Sequence, residues 1–491
     1  MKYKIIGMSV TALVLVMVLC ISFIMPEDNV RRYHQHIEAE EKAACSHTDG
    51  RFCTHLPIIE IDTNGKTIPG EPILDASSGR TLRYTMSETG EETILAKFSV
   101  IDNVGENNHT EDAPSVSSDI RIHIRGNSSR HFEKKGYSIK MITSEGLNNP
   151  QSLIGMDAHH EWALHGPYLD KTLIRNYICY NLAGDIMGYA PNVRFCELIL
   201  NGEYQGLYLL TETITAGKKG ARLELSVDKK DNSFSGYLLR LDRGSNTELK
   251  NINNFTSYTY KTDSKVNIVY PGNANLTPSI ANEICEDFSD FEKALYSYDY
   301  DSEDFGYENY IDVNSFIDYF LINEFTGNYD AGSKSTYIYK GIDGKFHMCV
   351  WDFNNAFDNY QENETSYRVF YLQDGLWYDM LFKDEEFVEK VISRYHELEK
   401  QYLNEEYMNS YIDSVIEYLG PAIDRNFEKW GHTFLPEWDG RLYDYQRNIH
   451  SYDEAVSQLK DYIKNRCEWM NENIDTLRQY SAESKVKKYN Y

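Results

Sequence analysis

One stretch of the chain, residues 311–360, restricts its fold more than any other. Apolar side chains in its first part recur three and four positions apart, as on one face of a helix: Val313, Phe316, Ile317, Phe320, Leu321 and Phe325. Asp312 precedes them at the position of an N-terminal cap. The spacing therefore predicts a capped helix whose apolar face is buried in a core.

Two aspartates flank the second part of this stretch. Residues 336–339 are β-prone, residues 341–344 have turn composition, and residues 346–351 form a second apolar run. Asp330 precedes this predicted hairpin, and Asp352 follows it directly. Two acidic side chains are therefore expected at the two ends of one hairpin.

This arrangement suits phosphoryl transfer. In that chemistry one carboxylate orients or accepts the proton of the attacking hydroxyl, and a second carboxylate holds the metal ion that bridges the phosphates. Asp330 is the candidate for the first role, and Asp352, in an Asp-Phe-Asn sequence, is the candidate for the second. The alternative is that Asp330 caps a turn and Asp352 ends a strand, as many loop aspartates do.

The net charge of the chain argues against one class of function. The 491 residues include 49 basic and 76 acidic side chains, which gives a formal net charge of −27. A surface that binds nucleic acid is typically basic, so nucleic acid is not an expected partner. The acidity instead favours a basic protein or peptide, which it would attract over roughly 10 Å in ordinary salt.

The N-terminus predicts a membrane anchor. Residues 5–25 form a continuous apolar stretch of 21 residues behind Lys2 and Lys4. At a rise of about 1.5 Å per residue a helix of this length spans about 30 Å, the thickness of a bilayer core. A cleaved signal peptide is the alternative, although no small-residue cleavage pattern directly follows. We expect a single-pass transmembrane helix within residues 1–26, with the main domain outside the cytoplasm.

Two cysteines after this segment bracket a short polar sequence. Cys45 and Cys53 would close a small disulfide loop in an oxidising compartment, which agrees with an external position. His47 and His55 lie nearby in the sequence. A metal site is therefore the alternative, although Cys-x7-Cys is not a common ligand spacing.

Composition divides the remaining chain into four parts. Residues 27–55 are polar and charged like a stalk, residues 56–118 are β-rich, residues 119–480 form the main domain, and residues 481–491 form a tail. Four stretches near the end of the main domain have helical periodicity: residues 385–403, 404–418, 452–467 and 470–480. The main domain is thus expected to be β-rich first and helical later.

A segment near the start of the main domain is a candidate phosphate site. One predicted strand leads into Arg125, Gly126, Asn127 and Ser128, and the returning strand carries Lys140. Backbone amides beside glycine, serine hydroxyls and a lysine can together hold phosphates. The segment has no GxGxxG or Walker pattern, so a generic hairpin with solvated basic residues is the alternative.

Five sequence blocks in a fixed order resemble the CotH kinase family, the spore coat protein H type of atypical protein kinase. The blocks are residues 122–129 together with 135–140 (IHIRGNSS and KGYSIK), 170–176 (DKTLIRN), 196–212, 323–330 (NEFTGNYD) and 350–354 (VWDFN). They lie between residues 119 and 360, about half of the chain.

The resemblance implies an α+β, atypical protein-kinase-like fold with two lobes, behind the N-terminal transmembrane helix. It also implies binding of ATP with Mg²⁺ or Mn²⁺, and phosphate transfer to Ser or Thr of a protein at the spore coat or cell surface. By position, Lys140 resembles the lysine that pairs with the α- and β-phosphates, Asp330 the catalytic aspartate, and Asp352 the metal-binding aspartate.

The same resemblance assigns roles to further residues. Arg125, Asn127 and Ser128 would line the phosphate loop. Glu212 is the candidate for the acid that orients Lys140, and Glu324 is its competitor.

The chain departs from the general kinase pattern at one position. Ser335 stands where a second metal-binding asparagine is expected, and Asn354 or Asn355 is the candidate replacement.

From the resemblance and the N-terminal apolar segment together, we expect a membrane-anchored Ser/Thr protein kinase. The alternatives are a non-catalytic scaffold for coat or surface assembly and, less favoured, a carbohydrate-binding or envelope-attachment module.

Overall fold

The computed structural model describes residues 32–43, 45, 51–217, 222–256, 264–359, 364–435, 438 and 448–482. The chain divides into a short unit, Met1–Tyr33, and a second unit, His34–Tyr491, whose architecture follows. The predicted membrane segment, residues 5–25, and most of the predicted tail lie outside the described residues. In the described part of the chain, no helix is long and apolar enough to cross a bilayer.

The fold combines many short strands with helices that lie mostly in the second half of the chain. The strands are β1 (Cys53–Thr54), β2 (Ile58–Asp62), β3 (Pro72–Leu74), β4 (Thr81–Tyr84), β5 (Ile94–Ile101), β6 (Asn108–His109), β7 (Val116–Arg125), β8 (Gly136–Ile142), β9 (Gln151–Leu153), β10 (Met156–His159), β11 (Glu161–His165), β12 (Val193–Leu200), β13 (Glu203–Glu212), β14 (Val227–Asp228), β15 (Ser233–Phe234), β16 (Tyr237–Asp242), β17 (Asn251–Ile252), β18 (Lys265–Tyr270), β19 (Thr336–Lys340) and β20 (Phe346–Cys349).

The α-helices are α1 (Gln35–Glu38), α2 (Arg175–Ile186), α3 (Pro278–Leu295), α4 (Val313–Thr326), α5 (Tyr378–Leu381), α6 (Glu385–Glu399), α7 (Glu405–Leu419), α8 (Pro421–Trp430), α9 (Tyr452–Asn473) and α10 (Arg478–Ser481). The chain is therefore of the mixed α+β class, as predicted.

Seven strands close into a barrel, in the order β11, β13, β12, β2, β5, β7 and β8, with β8 pairing back to β11. Neighbouring strands are antiparallel except β2 and β12, which are parallel. Alternate side chains fill the interior, among them Ile122, Ile139, Trp162 and Leu210. Because β2 and β5 share this barrel with β7 and β8, the boundary predicted between residues 118 and 119 falls inside one structural unit.

The second part of the fold packs helices against a five-stranded sheet with the order β17, β18, β16, β19 and β20. Its core contains α4, whose start is capped by Asp312 through a bond from the Ser315 amide, as predicted. The helix ends at Thr326 and is followed by Gly327, where φ is 57°. The predicted hairpin is also present, with Tyr337 opposite Cys349.

Two regional predictions differ from the structure. Gln35 lies in the predicted stalk, yet its side chain is buried and forms hydrogen bonds with both the backbone amide and the carbonyl of Phe195.

Near the C-terminus, α9 continues to Asn473 where two separate helices were expected. The unpredicted α8 begins at Pro421, directly after Gly420, because a proline at the first helical position is favourable.

Candidate active site

A cleft of about 610 Å³ is lined by residues of both the barrel and the helical part. The end of β7, the segment after β11, the end of β16 and the loops on both sides of the β19–β20 hairpin contribute to it. Asp330 and Asp352 both line this cleft. The structure therefore brings together the two acids that the sequence placed at the ends of one hairpin.

Asp330 is mostly buried in this cleft. Its Oδ2 accepts a 2.6 Å hydrogen bond from the side-chain amide of Asn355. Burial, followed by the nearby negative charge of Asp352, raises the pKa of Asp330 to about 6. A carboxylate with this pKa is suited to accept a proton near neutral pH.

Asp352 adopts a left-handed backbone conformation, with φ at 66°, which is uncommon for a residue other than glycine. Its Oδ1 accepts hydrogen bonds from the Asn354 amide (3.3 Å) and from Asn354 Nδ2 (2.6 Å). Burial raises the pKa of Asp352, while these bonds and the charge of Arg125 oppose that rise. Asp330 and Asp352 are thus two partly buried acids whose negative charges are only partly offset.

Helix α2 positions the Asp352 loop. The side chain of Asn176 accepts a bond from the Phe353 amide (2.9 Å) and donates one to Asn354 Oδ1 (2.7 Å). One turn later in the helix, the hydroxyl of Tyr180 accepts a 3.0 Å bond from the Asp352 amide. Two residues of one helix therefore fix the backbone on both sides of Asp352.

Arg175 holds the chain just beyond this loop. Its fully buried guanidinium donates hydrogen bonds to the carbonyls of Ala356 (3.0 Å) and Phe357 (3.3 Å). It also pairs at 2.5 Å with Asp170, which lines the cleft. Sequence reasoning assigned no role to Arg175 or Asn176, although both lie in the quoted block of residues 170–176.

Basic side chains line the same cleft as the two acids. Arg125, Arg240, Arg243 and Lys334 line it, and the Arg125 guanidinium lies 5.1 Å from the ring centre of Trp351. The arginines at the end of β16 were not singled out from the sequence, because no local motif marks them. This charge pattern can hold an anion beside the carboxylates.

The loop predicted to hold phosphates also lines the cleft. Asn127 and Ser128 are among its lining residues, together with Gly126. Gly126 has φ at 104°, and a Cβ at this position would overlap Oγ of Ser129. A side chain would therefore displace the loop, which explains the glycine at this position.

Lys140 and Glu212 are placed differently from what the resemblance implies. Neither is among the described residues that line the cleft. Lys140 is paired in the barrel with Glu161, whereas Glu212 is paired with Trp162, the next residue of the same strand. Because consecutive residues of a strand point to opposite faces, Lys140 and Glu212 lie on opposite faces of the sheet.

Each candidate acid for Lys140 binds another residue instead. Glu212 forms a buried 2.8 Å ion pair with Arg222, and Glu324 forms a buried 3.1 Å pair with Arg466. Lys140 Nζ lies 3.9 Å from Glu161 Oε1, and both side chains are about two-fifths exposed. The predicted pairing of Lys140 with Glu212 or Glu324 is therefore wrong.

The donor set of the cleft fits a hard divalent cation. Asp330, Asp352, Asn354 and Asn355 all line the cleft, and their side chains carry the carboxylate and amide oxygens that Mg²⁺ and Mn²⁺ prefer as ligands. A cation there would favour the ionised form of both acids, whose pKa values are raised mainly by burial. Ser335 also lines the cleft, so the expected second metal position carries a hydroxyl in place of an amide.

Comparison with known proteins gives two findings. The family model described as "CotH kinase protein" matches residues 122–470, more than half of the chain. Inner spore coat protein H of Bacillus subtilis (strain 168) is 22% identical over 366 residues, which cover 73% of this chain and 88% of that protein. The family-model match includes every sequence block on which the resemblance was based.

Proposed function

Because the chain belongs to the CotH kinase protein family, we propose that it transfers the γ-phosphate of ATP to Ser or Thr side chains of a protein. The observation that carries this proposal is the convergence of Asp330 and Asp352 in one cleft beside basic side chains. In this proposal the barrel and the helical part act as the two lobes of a kinase-like fold.

Each cleft residue has a role in the proposed reaction. Asp330 orients the attacking hydroxyl and accepts its proton as the new oxygen–phosphorus bond forms and the bond to ADP breaks. Asp352 and Asn354 hold Mg²⁺ or Mn²⁺, which supplies positive charge to the phosphates when bound. Arg125 and the loop with Asn127 and Ser128 bind phosphate oxygens through charge-assisted and amide hydrogen bonds.

The substrate and location are proposed on separate grounds. The formal net charge of −27 favours a basic, Ser/Thr-rich protein substrate. The relative in Bacillus subtilis is named as an inner spore coat protein, which supports a place at a spore coat for this chain too. The N-terminal membrane anchor stays a prediction.

The test is transfer of radiolabel from γ-labelled ATP by the full chain, with Mg²⁺ and with Mn²⁺, to itself and to a basic Ser-rich protein. We expect Asp330→Ala to abolish transfer and keep nucleotide binding, and Asp352→Ala to abolish metal-dependent nucleotide binding. The matched control is Asp343→Ala, since Asp343 lies in the turn of the same hairpin and bonds His347. Full transfer by both cleft variants would overturn the assignment.

A second candidate function is a non-catalytic scaffold for coat or surface assembly. The observation that favours it is that Lys140, the residue expected to pair with the α- and β-phosphates, lies outside the residues that line the cleft. If the chain is a scaffold, the wild-type protein should transfer no phosphate and should show no metal-dependent binding of nucleotide. The same experiment therefore separates the two functions.

A further inference from the structure

Three chain segments far apart in sequence meet beside the barrel. Ala43 forms a parallel bridge with Glu106, and its amide donates a 2.9 Å bond to the Gly105 carbonyl. Strand β1 pairs with β6 so that Cys53 lies directly opposite His109. Cys45, two residues after Ala43, is thereby brought to the same place.

The side chains at this junction form a compact group of soft ligands. The sulfur atoms of Cys45 and Cys53 and a ring nitrogen of His109 all lie within 4.8 Å of one another. His109 Nε2 is 3.1 Å from Cys45 Sγ. Both cysteines are thiols, so the disulfide predicted from the sequence is absent.

The surroundings orient these ligands. Asp112 Oδ2 lies 3.3 Å from His109 Nδ1 and also accepts bonds from the His109 amide (2.9 Å) and from Asn103 Nδ2 (2.7 Å). A carboxylate on one ring nitrogen fixes the histidine so that the other nitrogen can bind a metal, as is common in zinc sites. Asn107 Nδ2 donates a 3.5 Å hydrogen bond to Cys53 Sγ.

We propose that Cys45, Cys53 and His109 bind one Zn²⁺ ion, with Asp112 as the positioning residue for His109. Zn–S distances of about 2.3 Å and Zn–N distances of about 2.0 Å in a tetrahedron separate ligand atoms by roughly 3.5–3.8 Å. The three atoms lie within 4.8 Å of one another, and one pair is 3.1 Å apart, so small shifts of these side chains would reach this geometry. Two thiolates and an imidazole select Zn²⁺ over Mg²⁺ or Ca²⁺.

The histidine identified here differs from those considered in the sequence. His47 lies outside the described residues, and His55 Nε2 lies 2.6 Å from the carbonyl of Tyr418, a contact that occupies it elsewhere. None of the three proposed ligands lines the cleft of Asp330 and Asp352. The proposed zinc site therefore lies apart from that cleft; it would join the segment before the barrel to β1 and β6, and it is independent of the proposed phosphate transfer.

The first test is the zinc content of the full chain, purified under reducing conditions without chelators and measured by inductively coupled plasma mass spectrometry. We expect about one zinc ion per chain, and loss of that ion in Cys53→Ser and in His109→Ala. The matched control is Cys285→Ser, because Cys285 is also a partly exposed thiol and lies elsewhere in the fold. Retention of zinc by both ligand variants would overturn the proposal.

Two further measurements do not depend on ligand variants that fold poorly. The wild-type chain loaded with Co²⁺ should show thiolate-to-cobalt charge-transfer absorption together with the visible bands of a tetrahedral site. Asp112→Asn keeps all three ligands and should weaken zinc binding 10- to 100-fold in competition with a chelator.

Three further outcomes would overturn the proposal. They are an absence of zinc in reduced protein supplied with the ion, zinc affinity unchanged in Asp112→Asn, and a Cys45–Cys53 disulfide identified by peptide mass in the isolated protein. The last outcome would establish the disulfide in place of the metal.

Discussion

The side-chain amide of Asn355 donates a 2.6 Å hydrogen bond to Oδ2 of Asp330. The two residues lie on opposite sides of the β19–β20 hairpin, so this bond ties the loop of one cleft acid to the loop of the other. Burial and the charge of Asp352 raise the pKa of Asp330 to about 6, whereas the bond from Asn355 lowers it. Asp330 is therefore more acidic than its burial alone would allow.

Replacing Asn355 by alanine should raise the pKa of Asp330 further. A hydrogen bond to a charged group contributes about 1.5–3 kcal/mol, which corresponds to about one pH unit or more. We expect the acidic limb of kcat/KM for phosphate transfer to move to higher pH by about that amount. The measurement is kcat/KM for phosphate transfer from pH 5 to pH 9 at saturating metal. The control is Asn148→Ala, because Asn148 is exposed and lies outside the cleft. Superimposable profiles would contradict the proposed role of Asp330 as proton acceptor.

Replacing Asp330 by asparagine should stabilise the metal-free protein at high pH. The pKa of Asp330 in the folded state, about 6, lies above the ordinary value of 3.8, so folding favours the protonated form. The free-energy cost of ionising Asp330 in the folded protein is absent below about pH 4 and reaches its full value above about pH 6. We expect Asp330→Asn to raise the free energy of unfolding by about 1–3 kcal/mol at pH 8, and to change it little at pH 4. Denaturant unfolding at both pH values measures this, and a variant less stable than wild type at pH 8 would contradict it.

Local sequence pattern predicted the part of the site that is local. The helix before Asp330, its Asp312 cap and the hairpin between the two acids depend on residues close in sequence, and the structure contains all three. Apolar periodicity is a reliable signal there because one face of α4 is buried in a large core.

Contacts that depend on long-range strand register could not be predicted in this way. The outward direction of Lys140 and the inward direction of Glu212 follow from how β8, β11 and β13 align in the barrel. A shift of one residue in that alignment would reverse either side chain. The approach of His109 to Cys45 and Cys53 likewise follows from the β1–β6 pairing, which no short motif specifies.

Arg125 should contribute more to nucleotide binding than Lys140. Arg125 lines the cleft beside Asp352, whereas Lys140 is outside the lining and half-exposed beside Glu161. Since a charge-assisted hydrogen bond contributes about 1.5–3 kcal/mol, Arg125→Ala should weaken ATP binding by about tenfold or more.

Lys140→Ala is the matched comparison and should change ATP affinity by less than about twofold. Titration calorimetry with ATP and Mg²⁺ measures both variants. A larger loss for Lys140→Ala than for Arg125→Ala would restore the role that the family resemblance implies for the lysine, and would show that the barrel rearranges when nucleotide binds.

Arg175→Met should both destabilise the fold and loosen the loop that carries Asp352. The substitution removes the ion-pair partner of buried Asp170, which keeps hydrogen bonds from Thr172 and from the backbone amide of residue 175. Breaking a buried ion pair from one side typically costs about 3–5 kcal/mol. It also removes the donors to the Ala356 and Phe357 carbonyls, which hold the chain after Asp352. Denaturant unfolding should show the loss of stability, and metal-dependent nucleotide binding should weaken even where the protein remains folded.

The control for Arg175→Met is Lys97→Met, which breaks the exposed pair of Lys97 with Asp119 and should barely move the unfolding midpoint. The double variant Asp170→Asn/Arg175→Met removes the uncompensated charge, so it should recover part of the stability that Arg175→Met loses. It should not recover nucleotide binding, because the two carbonyls after Asp352 still lack their donors. Recovery of both properties would mean that Arg175 acts on the cleft only through Asp170.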